Sequence, residues 1–387
     1  MKKMKRDIAN ILSDAVQRSL TPGAAVLLSR GGEEALFQMD GFANIEEKKP
    51  IARDAIYRLY SLTKPMTAVA AMTLMERGKL DIVSPVSDYL EGFKDQQVAV
   101  SETEREPVKR PVQIRDLFTM TSGLPYPGEN TTAERLMTAL YEQMERETKE
   151  GRRLTTLEAA NRIGQSPLAH HPGEKWMYGT SADILGAVIE VISGKPLNEY
   201  MTEAVFAPLC MPDTDFFVPE DKLGRLVTMY ERKDSALSVH PENDSRRGVF
   251  SLPNVLEGGA GVFSTVDDAM TFGQMLLNSG KLKKERILSH NAVAWLTENH
   301  LTPQQQSYLT WDTTLGYGYG GLMRVLQSPG QSFSLGVKGE FGWDGWTGTY
   351  MTVCPDKDLV LIVMQQLAGA GTNAVIRNIR NVVYANI

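Results

Sequence analysis

Apolar positions near the start of the chain repeat with a helical period. Ile8, Ile11, Leu12, Ala15 and Val16 share one side of residues 7–20, and Thr21-Pro22-Gly23 stops the pattern. The period then shortens to that of strands. Residues 24–29 and 35–39 flank Gly31-Gly32, which predicts a β-hairpin. A long apolar run from Ala68 to Met75 predicts a helix from about 61 to 77, with Gly78 as its C-terminal cap. The texture then changes to helices and loops. Helices are expected over 113–118, over the polar stretch 131–149, from the Thr155–Glu158 capping box, and over the apolar stretch 181–193 closed by Gly194. Residues 219–256 are polar and predicted to be irregular. A helix over 267–277, strands over 317–325, 332–338, 348–353 and 359–365, and a helix over 373–385 complete the chain.

Strand character at both ends brackets a helical middle. This predicts an α/β domain built from residues 1–80 and 256–387, with a mostly helical domain, 81–255, inserted between. A chain of 387 residues is long enough for two such units. The net charge of −6 provides no basic footprint for nucleic acid or for an anionic membrane surface. Cys210 and Cys354 lie in apolar surroundings and are expected to be buried free thiols. The five histidines show no metal-ligand spacing, so no metal site is expected; no cofactor is implied either. The basic start (Lys2, Lys3, Lys5, Arg6) is not followed by the apolar core of a signal peptide. No apolar run reaches the roughly 18 residues of a membrane span. A cytoplasmic location is the resulting expectation; the oligomeric state is left open.

Three stretches could carry chemistry. In the first, Ser61 precedes Lys64 by three residues at the head of the apolar helix, so both lie on one face. Pro65 is tolerated only in a first turn, which places Ser61 at the helix start among unpaired N–H groups. A serine hydroxyl needs a base to become a nucleophile. A lysine amine can be that base if burial lowers its pKa from about 10.4 toward 7–8. A Ser-x-x-Lys alone is weak evidence, because composition produces roughly one by chance in a chain of this length. The second stretch is Pro172-Gly173-Glu174-Lys175-Trp176-Met177-Tyr178, where Tyr178 stands before a helix and could share a proton relay with Lys64. The third, Phe341 to Tyr350, interleaves glycine with tryptophan at a strand start. Its Trp346 N–H and the Ser61 N–H are candidate oxyanion donors.

In this order and spacing, the three stretches resemble the motifs of the serine β-lactamase and penicillin-binding-protein superfamily. The closest likeness is to its class C-like branch, which includes the family VIII carboxylesterases. Thr119–Pro125 and Gly258–Thr265 are similar to further landmarks of that branch, and the likeness runs from about 8 to 385. The resemblance implies an antiparallel sheet flanked by helices and an acyl-enzyme on Ser61. Ser61, Lys64 and Tyr178 would be the catalytic residues, and the Ser61 and Trp346 amides the oxyanion site. Trp343, Gly345, Tyr126 and Tyr60 are expected at the substrate pocket.

The sequence also departs from the antibiotic-cleaving members. They carry Lys-Thr-Gly or a close variant at the third motif, where the cation holds a substrate carboxylate. Here Trp343-Asp344-Gly345 stands in its place, similar to the Trp-Gly-Gly of family VIII esterases. Tyr178-Gly179-Thr180 replaces Tyr-Ala-Asn. A neutral small-molecule ester is therefore the expected substrate. Acyl transfer to an alcohol or amine, a weak β-lactamase or D,D-peptidase, and a non-catalytic binding relative are the alternatives.

Overall fold

The computed structural model describes residues 2–244 and 253–387. The hairpin at the N-terminus and the strands at the C-terminus join in one eight-stranded sheet. Its order is 317–319, 324–326, 341–344, 350–354, 359–365, 23–30, 33–44, 49–50, and every pairing is antiparallel. The two chain ends meet at its centre, where Ala24 lies opposite Gln365 and Leu28 opposite Leu361. Strand Leu359–Gln365 is buried along its whole length, as a strand covered on both faces must be.

Alternate side chains of the central strands enter two different cores. On one face Val26, Leu28, Leu361 and Val363 pack with Ile8 and Leu12 of helix Lys2–Gln17 and with Ile376 and Ile379 of helix Ala374–Tyr384. On the other face Ala25, Leu27, Ile362 and Met364 join Met66 and Val69 of helix Thr63–Glu76 and Met275 of helix Val266–Leu277. That second core continues without a break into the helical middle through Leu117, Ile163 and Leu185. Helix Thr63–Glu76 is thus enclosed on all sides, with every residue from Thr63 to Leu74 buried. A helix that is apolar around its whole circumference has to be buried in this way.

Several sequence expectations are corrected. The first helix begins at Lys2 because Met4 extends the buried stripe of Ile8, Leu12 and Ala15 by one turn. The single strand expected over 317–325 is a hairpin, Tyr317–Tyr319 with Arg324–Leu326. Residues 332–338 form no strand: Arg324 and Val325 pair with Gly342 and Phe341, which leaves Phe333 and Leu335 exposed. Phe341–Asp344 is a strand in its own right, in register with Tyr350–Val353. The polar region 219–256 contains the hairpin Tyr230–Lys233 with Ala236–Val239; residues 245–252 of that region lie outside the described ones. Both cysteines are free, but Cys210 is exposed and only Cys354 is buried. Among the described residues, no helix is long and apolar enough to cross a membrane.

Candidate active site

Ser61 sits in a single 3-10 turn, Tyr60–Leu62, that runs directly into helix Thr63–Glu76. Tyr60 takes a left-handed backbone conformation, with φ of 47°. A bulky residue pays roughly 1–2 kcal/mol for this, so its surroundings must impose it. Leu59 is pinned on both sides, its N–H to Val262 O at 2.9 Å and its carbonyl to Thr349 Oγ1 at 2.8 Å. The Tyr60 ring meets Trp346 edge-on at 5.2 Å.

Lys64 is completely buried in an otherwise apolar helix. Its Nζ lies 3.0 Å from Ser61 Oγ, 2.9 Å from Tyr126 Oη and 2.8 Å from Gly259 O. An ammonium has three protons, and here each has one acceptor. In the neutral form, the two remaining protons can stay with Tyr126 and Gly259. The lone pair then faces the Ser61 hydroxyl, which is the geometry for removing its proton. Burial pushes the Tyr126 phenol well above its ordinary value of 10, with Asp183 and Tyr178 adding to the rise, so Tyr126 stays a neutral hydroxyl.

The carbonyl of Gly259 is held in place from two sides. Its own N–H donates to Asp183 Oδ1 at 2.8 Å, and the preceding Gly258 carbonyl accepts from Thr67 Oγ1 at 2.6 Å. The Gly258–Gly261 stretch therefore carries the third partner of Lys64, a role its sequence did not reveal.

Tyr178 precedes helix Ser181–Ser193. Its neighbour Gly179 is packed so closely on the Leu124 carbonyl that a Cβ would come within 1.8 Å of that oxygen, so only glycine fits. The Tyr178 ring lies 4.7 Å from Lys64 Nζ and 5.6 Å from the ring of Tyr126. Trp343 is buried behind it, with its indole N–H donating to Tyr178 Oη at 3.2 Å. Tyr126, expected at the pocket wall, is thus a direct partner of Lys64, and Trp343, expected beside it, supports Tyr178. The signal for Tyr126 was only its place after Leu124-Pro125; its contact with Lys64 spans 62 positions of sequence.

The 341–349 hairpin docks against the serine turn. Gly345 packs against the Leu59 carbonyl, where a Cβ would come within 2.1 Å of the oxygen, and Thr347 Oγ1 donates to Arg58 O at 3.2 Å. Trp346 follows Gly345 and is half-exposed. Asp344, beside Trp343 in the third motif, accepts from Arg324 Nη1 at 2.6 Å. Arg324 is 3% exposed and lies against the Trp343 ring. The pair fixes the end of the strand and leaves neither charge free. A cavity of about 620 Å³ lies beside Tyr60, between Asp183, Leu256 and Gly261; Ser61, Lys64 and Tyr178 do not line it. Among the described residues, no group of three or more His, Cys, Asp or Glu side chains is placed to hold a metal ion.

The pattern of the Beta-lactamase family matches residues 8–385. The chain belongs to that family. Within the family it is 30% identical over 371 residues to protein Rv1367c of Mycobacterium tuberculosis, covering 92% of this chain and 88% of that one. It is 27% identical to esterase EstB of Burkholderia gladioli, covering 97% and 94%. Among solved structures it superimposes on EstCE1, a hydrolase with promiscuous acyltransferase activity, with a TM-score of 0.83, 25% identity and 99% of each chain covered. Simvastatin synthase from Aspergillus terreus, at a TM-score of 0.81 and 21% identity, shares the fold. This member of the β-lactamase family is a serine hydrolase with esterase-like relatives.

Proposed function

We propose that this chain is a carboxylesterase, similar to the family VIII enzymes, that works through an acyl-enzyme on Ser61. The observation that carries this reading is the contact of buried Lys64 Nζ with Ser61 Oγ at 3.0 Å. Ser61 Oγ attacks the ester carbonyl carbon and forms a new C–O bond. Its proton passes to the Lys64–Tyr178 pair. The C–OR bond breaks, and the alkoxide takes that proton and leaves as the alcohol. Water repeats the sequence in reverse roles, releasing the carboxylic acid and restoring the serine hydroxyl. The Ser61 and Trp346 amides hold the oxyanion. Lys64 and Tyr178 act as one coupled unit.

The preference for a neutral ester rests on the third motif. An indole, Trp343, stands where antibiotic-cleaving relatives offer a cation, and the nearby Arg324 is spent on Asp344. Acyl transfer to an alcohol is the second reading, favoured by the likeness to EstCE1. The test is a panel of short-chain p-nitrophenyl esters beside the cephalosporin nitrocefin. The wild type should turn over the esters far better than nitrocefin. Ser61→Ala should abolish ester hydrolysis while its circular dichroism stays that of the wild type. Activity retained in Ser61→Ala, or a preference for nitrocefin, would rule the reading out.

A further inference from the structure

Of the five tryptophans, two are exposed: Trp311 at 45% and Trp346 at 40%. Both touch a tyrosine of the serine site. Trp346 meets Tyr60, the residue before the serine. Trp311 meets Tyr178 edge-on, with ring centroids 5.2 Å apart. The sequence gives no reason to single out Trp311, which sits in a loop far from all three motifs.

The Trp311 indole is held in place without being covered. Its ring also meets buried Trp176 edge-on at 5.4 Å. Its carbonyl accepts from both the N–H and the hydroxyl of Thr314, at 2.8 and 2.9 Å, which closes a tight turn around it. One part of the ring is therefore fixed by packing on Trp176 and Tyr178, and the remainder faces solvent. A large apolar side chain fixed in this state gains from covering its open part with a ligand, and little ordering entropy is lost when it does.

The reaction chemistry says which half of a substrate reaches it. The leaving oxygen must come within hydrogen-bond reach of the Lys64–Tyr178 pair to receive its proton. The rest of the alcohol then lies beside whatever packs around Tyr178, and Trp311 is the exposed ring there. We propose that Trp311 is a specificity residue for the alcohol half of the ester, favouring esters of aromatic alcohols over those of small alkyl alcohols. This rests on the esterase reading above. Trp311 takes no part in moving protons or in the acyl half.

The test compares benzyl acetate with ethyl acetate, whose alkoxide leaving groups are of similar reactivity. Both give the same acetyl-enzyme, so an alcohol-side residue changes kcat/KM without changing the deacetylation rate. In Trp311→Ala, kcat/KM for benzyl acetate should fall about tenfold relative to that for ethyl acetate. Trp311→Phe, which keeps a ring, should recover most of the ratio. Deacetylation, followed by intact mass after rapid mixing, should be unchanged.

An equal loss for both esters would show that Trp311 only props Tyr178, and no change for either would show that it touches no substrate. Either result overturns the proposal. Failure of the wild type to form an acetyl-enzyme on Ser61 would instead overturn the esterase reading and this proposal with it. The two failures are therefore told apart by the mass of the protein.

Discussion

The indole N–H of Trp343 donates to the hydroxyl oxygen of Tyr178 at 3.2 Å. An oxygen that accepts this bond has its own proton turned elsewhere, and any negative charge gained during proton transfer is stabilised. In the mechanism proposed above, the residue that stands in place of the usual third-motif cation would therefore act on Tyr178 as the general acid–base group as well as on substrate charge.

Trp343→Phe keeps the ring and removes the donor. A neutral hydrogen bond contributes about 0.5–1.5 kcal/mol, so kcat for p-nitrophenyl acetate should fall roughly 3–10-fold. KM should change less than kcat, because the substitution keeps an uncharged aromatic ring where the substrate lies. A purified variant with a normal melting temperature and unchanged kcat would show that the bond has no part in catalysis.

The two tyrosines near Lys64 should separate by the size of their effects. Tyr178→Phe removes a group of the proposed proton relay, and general acid–base groups contribute about 10²–10⁴-fold. Tyr126→Phe removes one of three partners of the Lys64 amine and leaves Ser61 and Gly259 in place. Its cost should be at most about tenfold, that of one neutral hydrogen bond. Steady-state rates on one ester decide the matter; a greater loss in Tyr126→Phe would reverse the roles assigned to them.

Stability should fall in mild acid. His170 is buried and His300 partly buried, and desolvation lowers both below their ordinary value of 6.5. His170 Nδ1 faces the His171 carbonyl, and among the described residues its Nε2 has no hydrogen-bond partner. The unfolded chain then binds more protons than the native one as pH drops below 6.5, so the contribution of the neutral rings is complete above that value and is lost below it. Urea midpoints between pH 7.5 and 5.5 should decline, and His170→Gln should flatten the decline. An identical slope in the variant would contradict this.

Much of the fold was legible because its elements satisfy local rules. The stripe from Ile8 to Ala15, the Gly31-Gly32 turn, the Thr155–Glu158 box and Gly194 in its left-handed conformation each specify an element without reference to the rest of the chain. The misread strands lie where the register depends on a partner. Nothing between 317 and 344 says locally that Arg324–Leu326 will pair with Phe341–Asp344 and leave 332–338 outside the sheet.

For the site, sequence alone determined that Ser61 and Lys64 are neighbours, because three residues on a helix are always one turn apart. It also named Tyr178 and the Trp343–Gly348 stretch, through the order in which the motifs occur. Only the tertiary structure decided what surrounds the amine. Tyr126 and Gly259 come from segments 62 and 195 positions away from Lys64, and Asp344 reaches an arginine on the preceding strand, 20 positions back along the chain. A helix repeats every 3.6 residues and so encodes its own faces. A hydrogen bond between distant segments is encoded by nothing shorter than the whole packing that brings them together.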